Sequence, residues 1–129
     1  MRVLFDSHAL VWFLLGDARF PARLRQTLEV PETEFVISAA CIWEIATKFR
    51  RGRWPEAEVV LADLNVVLAS SAYSPLAISI EHARTAGFFA WNHRDPFDRI
   101  LAAQSQLEEI PLVTTDPVFR TFGVAVMWS

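Results

Sequence analysis

Short apolar runs that stop at a polar residue and hand over to helically spaced apolar residues recur along this chain, and that alternation narrows its fold more than any other property. Val3-Leu4-Phe5 stops at Asp6-Ser7, after which apolar residues continue at helical spacing through Leu15. Phe35-Val36-Ile37 ends at Ser38, a good N-cap, and predicts a helix to about Arg51, closed by Gly52. Pro55 opens a helical stretch to about Ala69. Leu76-Ala77-Ile78 predicts a third strand, with Ser79 capping the helix IEHARTAGF. Asp95 starts a helix reaching about Glu109, Leu112-Val113 predicts a fourth strand ending near Asp116, and Val124-Ala125-Val126 predicts a fifth. Helices between successive strands are the crossovers that parallel pairing requires, so the expected class is an α/β sandwich with a mostly parallel sheet.

The chain has 129 residues, 53% of them hydrophobic, enough for one substantial core and too few for two ordinary domains. A single domain over residues 1–129 is expected. Five tryptophans in so short a chain suggest apolar surface buried against another subunit, with Trp12, Trp43 and Trp54 as candidates alongside a core role. The apolar run ALVWFLL is far below the roughly 20 residues needed to span a bilayer. An acid stands where a secretion signal would have its basic lead-in. The single cysteine, Cys41, rules out an internal disulfide, and a reducing cytoplasm fits best. A net charge of −3 argues against coating nucleic acid by bulk electrostatics but leaves local contact open. The only lysine, Lys48, belongs to the basic cluster KFRRGR.

In open parallel sheets ligands bind in the crevice beyond the carboxyl ends of the strands. Asp6 and Asp116 follow the first and fourth predicted strands, where each taken alone is explained as a turn or helix cap. On the helix from Ser38, the apolar stripe Ile42, Ile45, Ala46 and Phe49 turns Glu44 to the other side, within reach of an ordinary i,i+4 pair with Lys48. In HRDPFDRI, Asp95 as N-cap and Asp98 in the first turn resemble a capping box, with Phe97, Ile100, Ala103, Gln104 and Leu107 expected to face inward. Each acid alone has an innocent role. Together they lie at one edge of the sheet or at the starts of helices opening from it, and carboxylates packed closely repel unless a cation joins them. No cysteine pair exists, and His8, His82 and His93 are not spaced like zinc ligands, so an oxygen cage favours Mg²⁺ or Mn²⁺.

The stretches FDSHAL (5–10), SAACIWEIATK (38–48), HRDPFDRILAAQ (93–104) and LVTTDPVF (112–119) resemble the successive motifs of PIN domains, specifically the VapC-type toxins of bacterial toxin–antitoxin pairs. The similarity runs through essentially the whole chain, in order and spacing. It implies a three-layer α/β/α sandwich and a Mg²⁺- or Mn²⁺-dependent ribonuclease, with Asp6, Glu44, Asp98 and Asp116 as the acidic, metal-holding set. Asp95 is part of the HRDPFDR variant of its motif, as ligand or only as cap. Thr114 matches the hydroxyl position beside the last acid, and Ser38 is either a cap or a donor behind the site. Thr47 departs mildly from the aliphatic residue usual there, and no acid of the set is missing. Lys48, Arg50, Arg51, Arg53, Arg94 and Arg99 could grip RNA phosphates, Arg99 above all, while the 48–53 cluster is equally a solvated helix end. His93 orients substrate or caps; His8 reads as structural. The resemblance also implies a VapB-like antitoxin laid along the toxin groove, and a toxin homodimer.

Competing readings are a metal-independent ribonuclease using histidines as acid and base, and a PIN-like interaction module without turnover. A phosphorelay receiver lacks its lysine after a late strand, and a haloacid-dehalogenase-type phosphatase would need an acid where His8 stands.

Overall fold

The computed structural model describes residues 1–129. Five strands, β1 (Arg2–Phe5), β2 (Glu34–Ser38), β3 (Tyr73–Leu76), β4 (Leu112–Val113) and β5 (Val126–Met127), form one sheet in the order β3-β2-β1-β4-β5. Every pairing is parallel, so the expected "mostly parallel" sheet is wholly so. The helices are α1 (Ser7–Leu15), α2 (Ala22–Leu28), α3 (Ala39–Arg50), α4 (Ala57–Ala62), α5 (Leu64–Ala69), α6 (Ile80–Phe88) and α7 (Pro96–Glu108), with a 3-10 turn over Pro117–Phe122. None of the helices is long and apolar enough to cross a membrane.

Starting from β1, the chain winds outward through β2 to β3, then returns across the sheet to β4 and β5 on the other side. Right-handed crossovers that travel in opposite directions cover opposite faces of the sheet, which produces the α/β/α layering. The reversal puts β1 beside β4, the topological switch point at which open α/β sheets form their crevice. The central strands are apolar along their covered stretches: Val3, Leu4, Phe5, Val36, Ile37, Leu112 and Val113 are at most 2% exposed. Strands covered on both faces have no polar side to alternate. Phe5, Phe13, Phe20 and Phe35 pack ring against ring around β1 and α1.

The element boundaries differ from expectation where local chemistry competes with the apolar pattern. The third strand is Tyr73–Leu76, not 76–78, and contains Pro75 paired opposite Ile37. Because β3 is an edge strand, the N–H that proline lacks is not needed on its outer side. The last strand is Val126–Met127 rather than 124–126, in register with Leu112 and Val113. The helix expected from Pro55 to Ala69 is divided at Asp63, whose ψ of 3° leaves the helical range. Helix α2 and the 3-10 turn have no counterpart in the sequence reading. Gly16, with φ of 66°, ends α1 in the left-handed conformation that a C-cap needs.

Candidate active site

Five carboxylates, Asp6, Glu44, Asp95, Asp98 and Asp116, line one cavity of about 590 Å³ at the carboxyl ends of β1 and β4. Asp6 is the last residue before α1 and caps it: its Oδ1 accepts the Ala9 N–H at 2.8 Å. Its Oδ2 accepts the Thr114 hydroxyl, and the same hydroxyl oxygen accepts the Asp116 N–H at 3.0 Å. Thr114, 1% exposed, therefore ties the two strand-end acids together. Asp116 caps the 3-10 turn through the Val118 N–H at 3.0 Å. Both acids are caps, and both also face the cavity.

Glu44 corrects a sequence expectation. It is 6% exposed, while Trp43 beside it is 58% exposed. The inward face of α3 is Ala40, Cys41, Glu44 and Ile45, a stripe rotated from the one expected, with Ile42, Ala46 and Phe49 only half-buried. The Glu44 carboxylate accepts the Ser7 hydroxyl at 2.6 Å and pairs with Lys48 at 2.7 Å. The predicted i,i+4 ion pair exists, but it stands at the mouth of a buried site and not on an open surface.

On α7, Asp95 caps the helix by accepting the Phe97 and Asp98 N–H groups, and Asp98 accepts from His93 Nε2 at 2.7 Å. Leu107, expected inside, is 38% exposed; Leu101, Ala102 and Ser105 are buried instead. His93, Asp95 and Asp98 are the only group of three whose ligand atoms all lie within 4.8 Å of one another. The carboxylates of Asp6, Glu44 and Asp116 share the cavity with them but are each drawn toward their own protein donors.

Two expected site residues prove structural. Ser38 is fully buried, caps α3 through the Ala40 N–H and donates to Gln104 Oε1 at 2.5 Å, away from the acids. Arg99, expected to grip phosphate, spends all its N–H groups on the carbonyls of Ala86, Gly87, Phe89, Trp91 and His93. A guanidinium committed in this way has no donor left for substrate. Trp54, offered as a partner-facing residue, is 5% exposed and belongs to the core.

The cavity has lining residues that the sequence did not single out for it: Ser7, Trp12, Arg19, Thr115 and Pro117, together with His8. Ser7 carries a signal, since it follows the acid in FDSHAL; Arg19, in the turn after α1, has none. Burial holds the Asp6 carboxyl up at about 6, against the Thr114 and Ala9 hydrogen bonds, with Asp98 and Glu44 adding repulsion. Asp98 is likewise pushed up to about 6 by burial, opposed by its His93 bond and reinforced by Asp95 and Glu44. Partial burial, then the Lys48 charge, lowers the pKa of His8 below its ordinary value. The pocket holds more negative charge than Lys48 and Arg19 offset.

Similarity to known proteins bears on this arrangement. The family model of the PIN domain matches residues 3–124. No curated protein sequence is significantly similar to the chain. Among solved structures, VapBC2 from Rickettsia felis, bound to a DNA fragment from their promoter, superposes with a TM-score of 0.70 at 13% identity, covering 100% of each chain. Mycobacterium tuberculosis VapC20, a sarcin–ricin loop cleaving toxin, gives 0.69 at 16% identity, also over 100% of both. FitAcB from Neisseria gonorrhoeae gives 0.65 at 17% identity, over 98% of this chain and 96% of that one. At these identities the structures speak for the fold, and the family model for the sequence. With an all-parallel sheet, acids at its switch point and a model match over nearly its whole length, the chain belongs to the PIN domain family.

Proposed function

We propose that the protein is the ribonuclease toxin of a toxin–antitoxin pair, hydrolysing RNA phosphodiester bonds with Mg²⁺ or Mn²⁺. The observation that carries this reading is the meeting of Asp6, Glu44, Asp98 and Asp116, from four separate parts of the chain, on one cavity at the carboxyl edge of the sheet. The likeness to VapC20, a sarcin–ricin loop cleaving toxin, supports it.

The donor set fits a hard divalent cation. It is all oxygen, and the Asp6 and Asp98 carboxyls are pushed up first by burial and further by the neighbouring acids, a cost to the charged form that a dication would relieve. One hydrogen bond to each oxygen of Asp6 and Glu44 leaves lone pairs free for a metal. Asp6, Glu44, Asp98 and Asp116 would hold the ion directly or through water, with Asp95 beside them. The chemistry such a cation supplies when bound is a water of lowered pKa and neutralisation of charge on the phosphoryl oxygens.

The chain's own residues do the positioning. Thr114 fixes the Asp6 and Asp116 ends, Ser7 and Lys48 aim Glu44, and His93 orients Asp98. Lys48 also sets a positive charge at the cavity mouth, where a phosphate would arrive. Products with 5′-phosphate and 3′-hydroxyl ends are expected.

An antitoxin partner and a homodimer belong to the same proposal. Four large apolar side chains, Trp43, Val66, Ile80 and Phe88, are 58–89% exposed, which suits a protein that buries surface against others. Free, buried Cys41 accords with a reducing cytoplasm.

The test is cleavage of total RNA by purified protein with Mg²⁺ or Mn²⁺, with EDTA, and with Asp98→Asn. Metal-dependent cutting that the substitution abolishes is expected. Cutting that survives EDTA would move the chemistry to histidines, and a well-folded protein that neither cuts RNA nor takes up manganese in calorimetry would be an interaction module.

A further inference from the structure

Beside the acid cavity, and sharing His8, Trp12, Arg19 and Lys48 with it, runs a second groove of about 330 Å³ that also takes in Arg53 and Trp54. Its chemistry is the reverse of its neighbour's. Three cations, Arg19, Lys48 and Arg53, line it; Glu56, its one carboxylate, lies 4.0 Å from Arg19, and Lys48 is paired with Glu44 of the neighbouring cavity. Its floor is aromatic: Trp54, 5% exposed and packed in the core, carries the exposed His8 ring stacked on it at 4.5 Å and 29°. Arg19 lies over the Trp12 ring at 4.9 Å and is held there by Asp17. Arg53 is exposed and has no carboxylate within ion-pair reach. Positive side chains alternating with π-faces are what single-stranded nucleic acid binds without base pairing. The acid-lined cavity would repel any phosphate that lacked a cation, so the cations next door supply the attraction that brings the strand in.

We propose that this groove is a nucleotide subsite: the base of a single-stranded residue flanking the scissile phosphate stacks on His8 over Trp54, and Arg53 and Arg19 hold its phosphate. The inference rests on the ribonuclease reading for the direction of the strand, but not for the binding itself.

Fluorescence anisotropy of a short, labelled single-stranded oligonucleotide bearing non-hydrolysable linkages, measured on the full chain, tests it. His8→Ala should raise Kd about 5- to 100-fold, the range of one lost base–aromatic stack, while His8→Phe, which keeps a ring, should stay near the original value. An abasic residue walked along the oligonucleotide should weaken binding at one position in the unsubstituted protein and at none in His8→Ala. Arg53→Ala should lower the slope of log K against log salt by about 0.7, one phosphate's share for a single strand. Equal Kd values for His8→Ala and the parent, or no position sensitive to base removal, would overturn the subsite. If the parent protein cleaves RNA while the groove variants bind and cut as it does, the subsite alone fails. If the parent binds through the groove but cuts nothing with any metal, the ribonuclease reading fails and the subsite stands.

Discussion

Thr114 is the residue on which the strand-end acids depend. Its hydroxyl donates to Asp6 and accepts from the Asp116 N–H, and it is buried. Thr114→Val keeps the shape and removes both bonds, leaving the part-buried Asp116 N–H and a buried Asp6 oxygen without this partner, which costs about 1–3 kcal/mol in urea unfolding at pH 7. The Thr114 bond lowers the Asp6 pKa, so without it that carboxyl rises further above its value of about 6. Activity that needs ionised Asp6 is lost as pH falls through this pKa, and the acid limb of the pH–rate profile should move to higher pH in the variant. An unmoved limb would mean that Asp6 is not the titrating group. Thr114 was legible beside its acid in LVTTDPVF. The burial of Glu44 was not, for a physical reason: a buried acid removes itself from the apolar stripe by which burial is recognised, and the stripe drawn from Ile42, Ile45, Ala46 and Phe49 falls on the wrong side of α3.

At the scale of elements, the start of α7 is held from behind. Arg99 clasps five carbonyls between Ala86 and His93, and so fixes the strap that presents His93 to Asp98. Arg99→Lys retains the charge but cannot span that set, because an ammonium is a point donor and a guanidinium a fork. We expect Arg99→Lys to lose about 2–3 kcal/mol of stability in urea unfolding without any RNA present, a loss a phosphate-gripping residue would not cause. Ser38→Ala tests the corresponding correction on α3: loss of the cap should cost about 1 kcal/mol while cleavage per folded molecule stays unchanged. The element order was readable because apolar runs and caps such as Ser38, Ser79 and Asp95 mark where strands give way to helices. Boundaries failed where tertiary context overruled local signals. Pro75 sits inside a strand because its outer neighbour is solvent, and α2 forms behind Pro21 with no side-chain cap to announce it.

For the molecule as a whole, the sequence specified parallel strands and crossovers but not the order β3-β2-β1-β4-β5, and that order makes the site. Placing β1 next to β4 joins Asp6 to Thr114 across 108 residues, a contact that no local pattern encodes. The outcome is a fold that buries carboxylates together at its switch point, with a thermodynamic consequence. Asp6 and Asp98 titrate at about 6 when folded, against 3.8 as the ordinary value. Between those two values the folded state binds more protons than the unfolded state, so stability falls as pH rises through the interval and stays low above it. Metal-free protein should therefore melt at a higher temperature near pH 5 than near pH 7.5, opposite to the usual behaviour of carboxylates paired with cations. A bound dication displaces those protons, so manganese should raise the melting temperature by several degrees at pH 7.5 and little at pH 5. Asp98→Asn, which removes one of the crowded charges, should raise the metal-free melting temperature at pH 7.5 and shrink both the pH dependence and the manganese shift. Differential scanning fluorimetry across pH, with and without manganese, reads all of these. A melting temperature that climbs from pH 5 to pH 7.5 without metal would show that burial and crowding do not penalise the charged form of these acids, and would remove the electrostatic reason for a cation at this site.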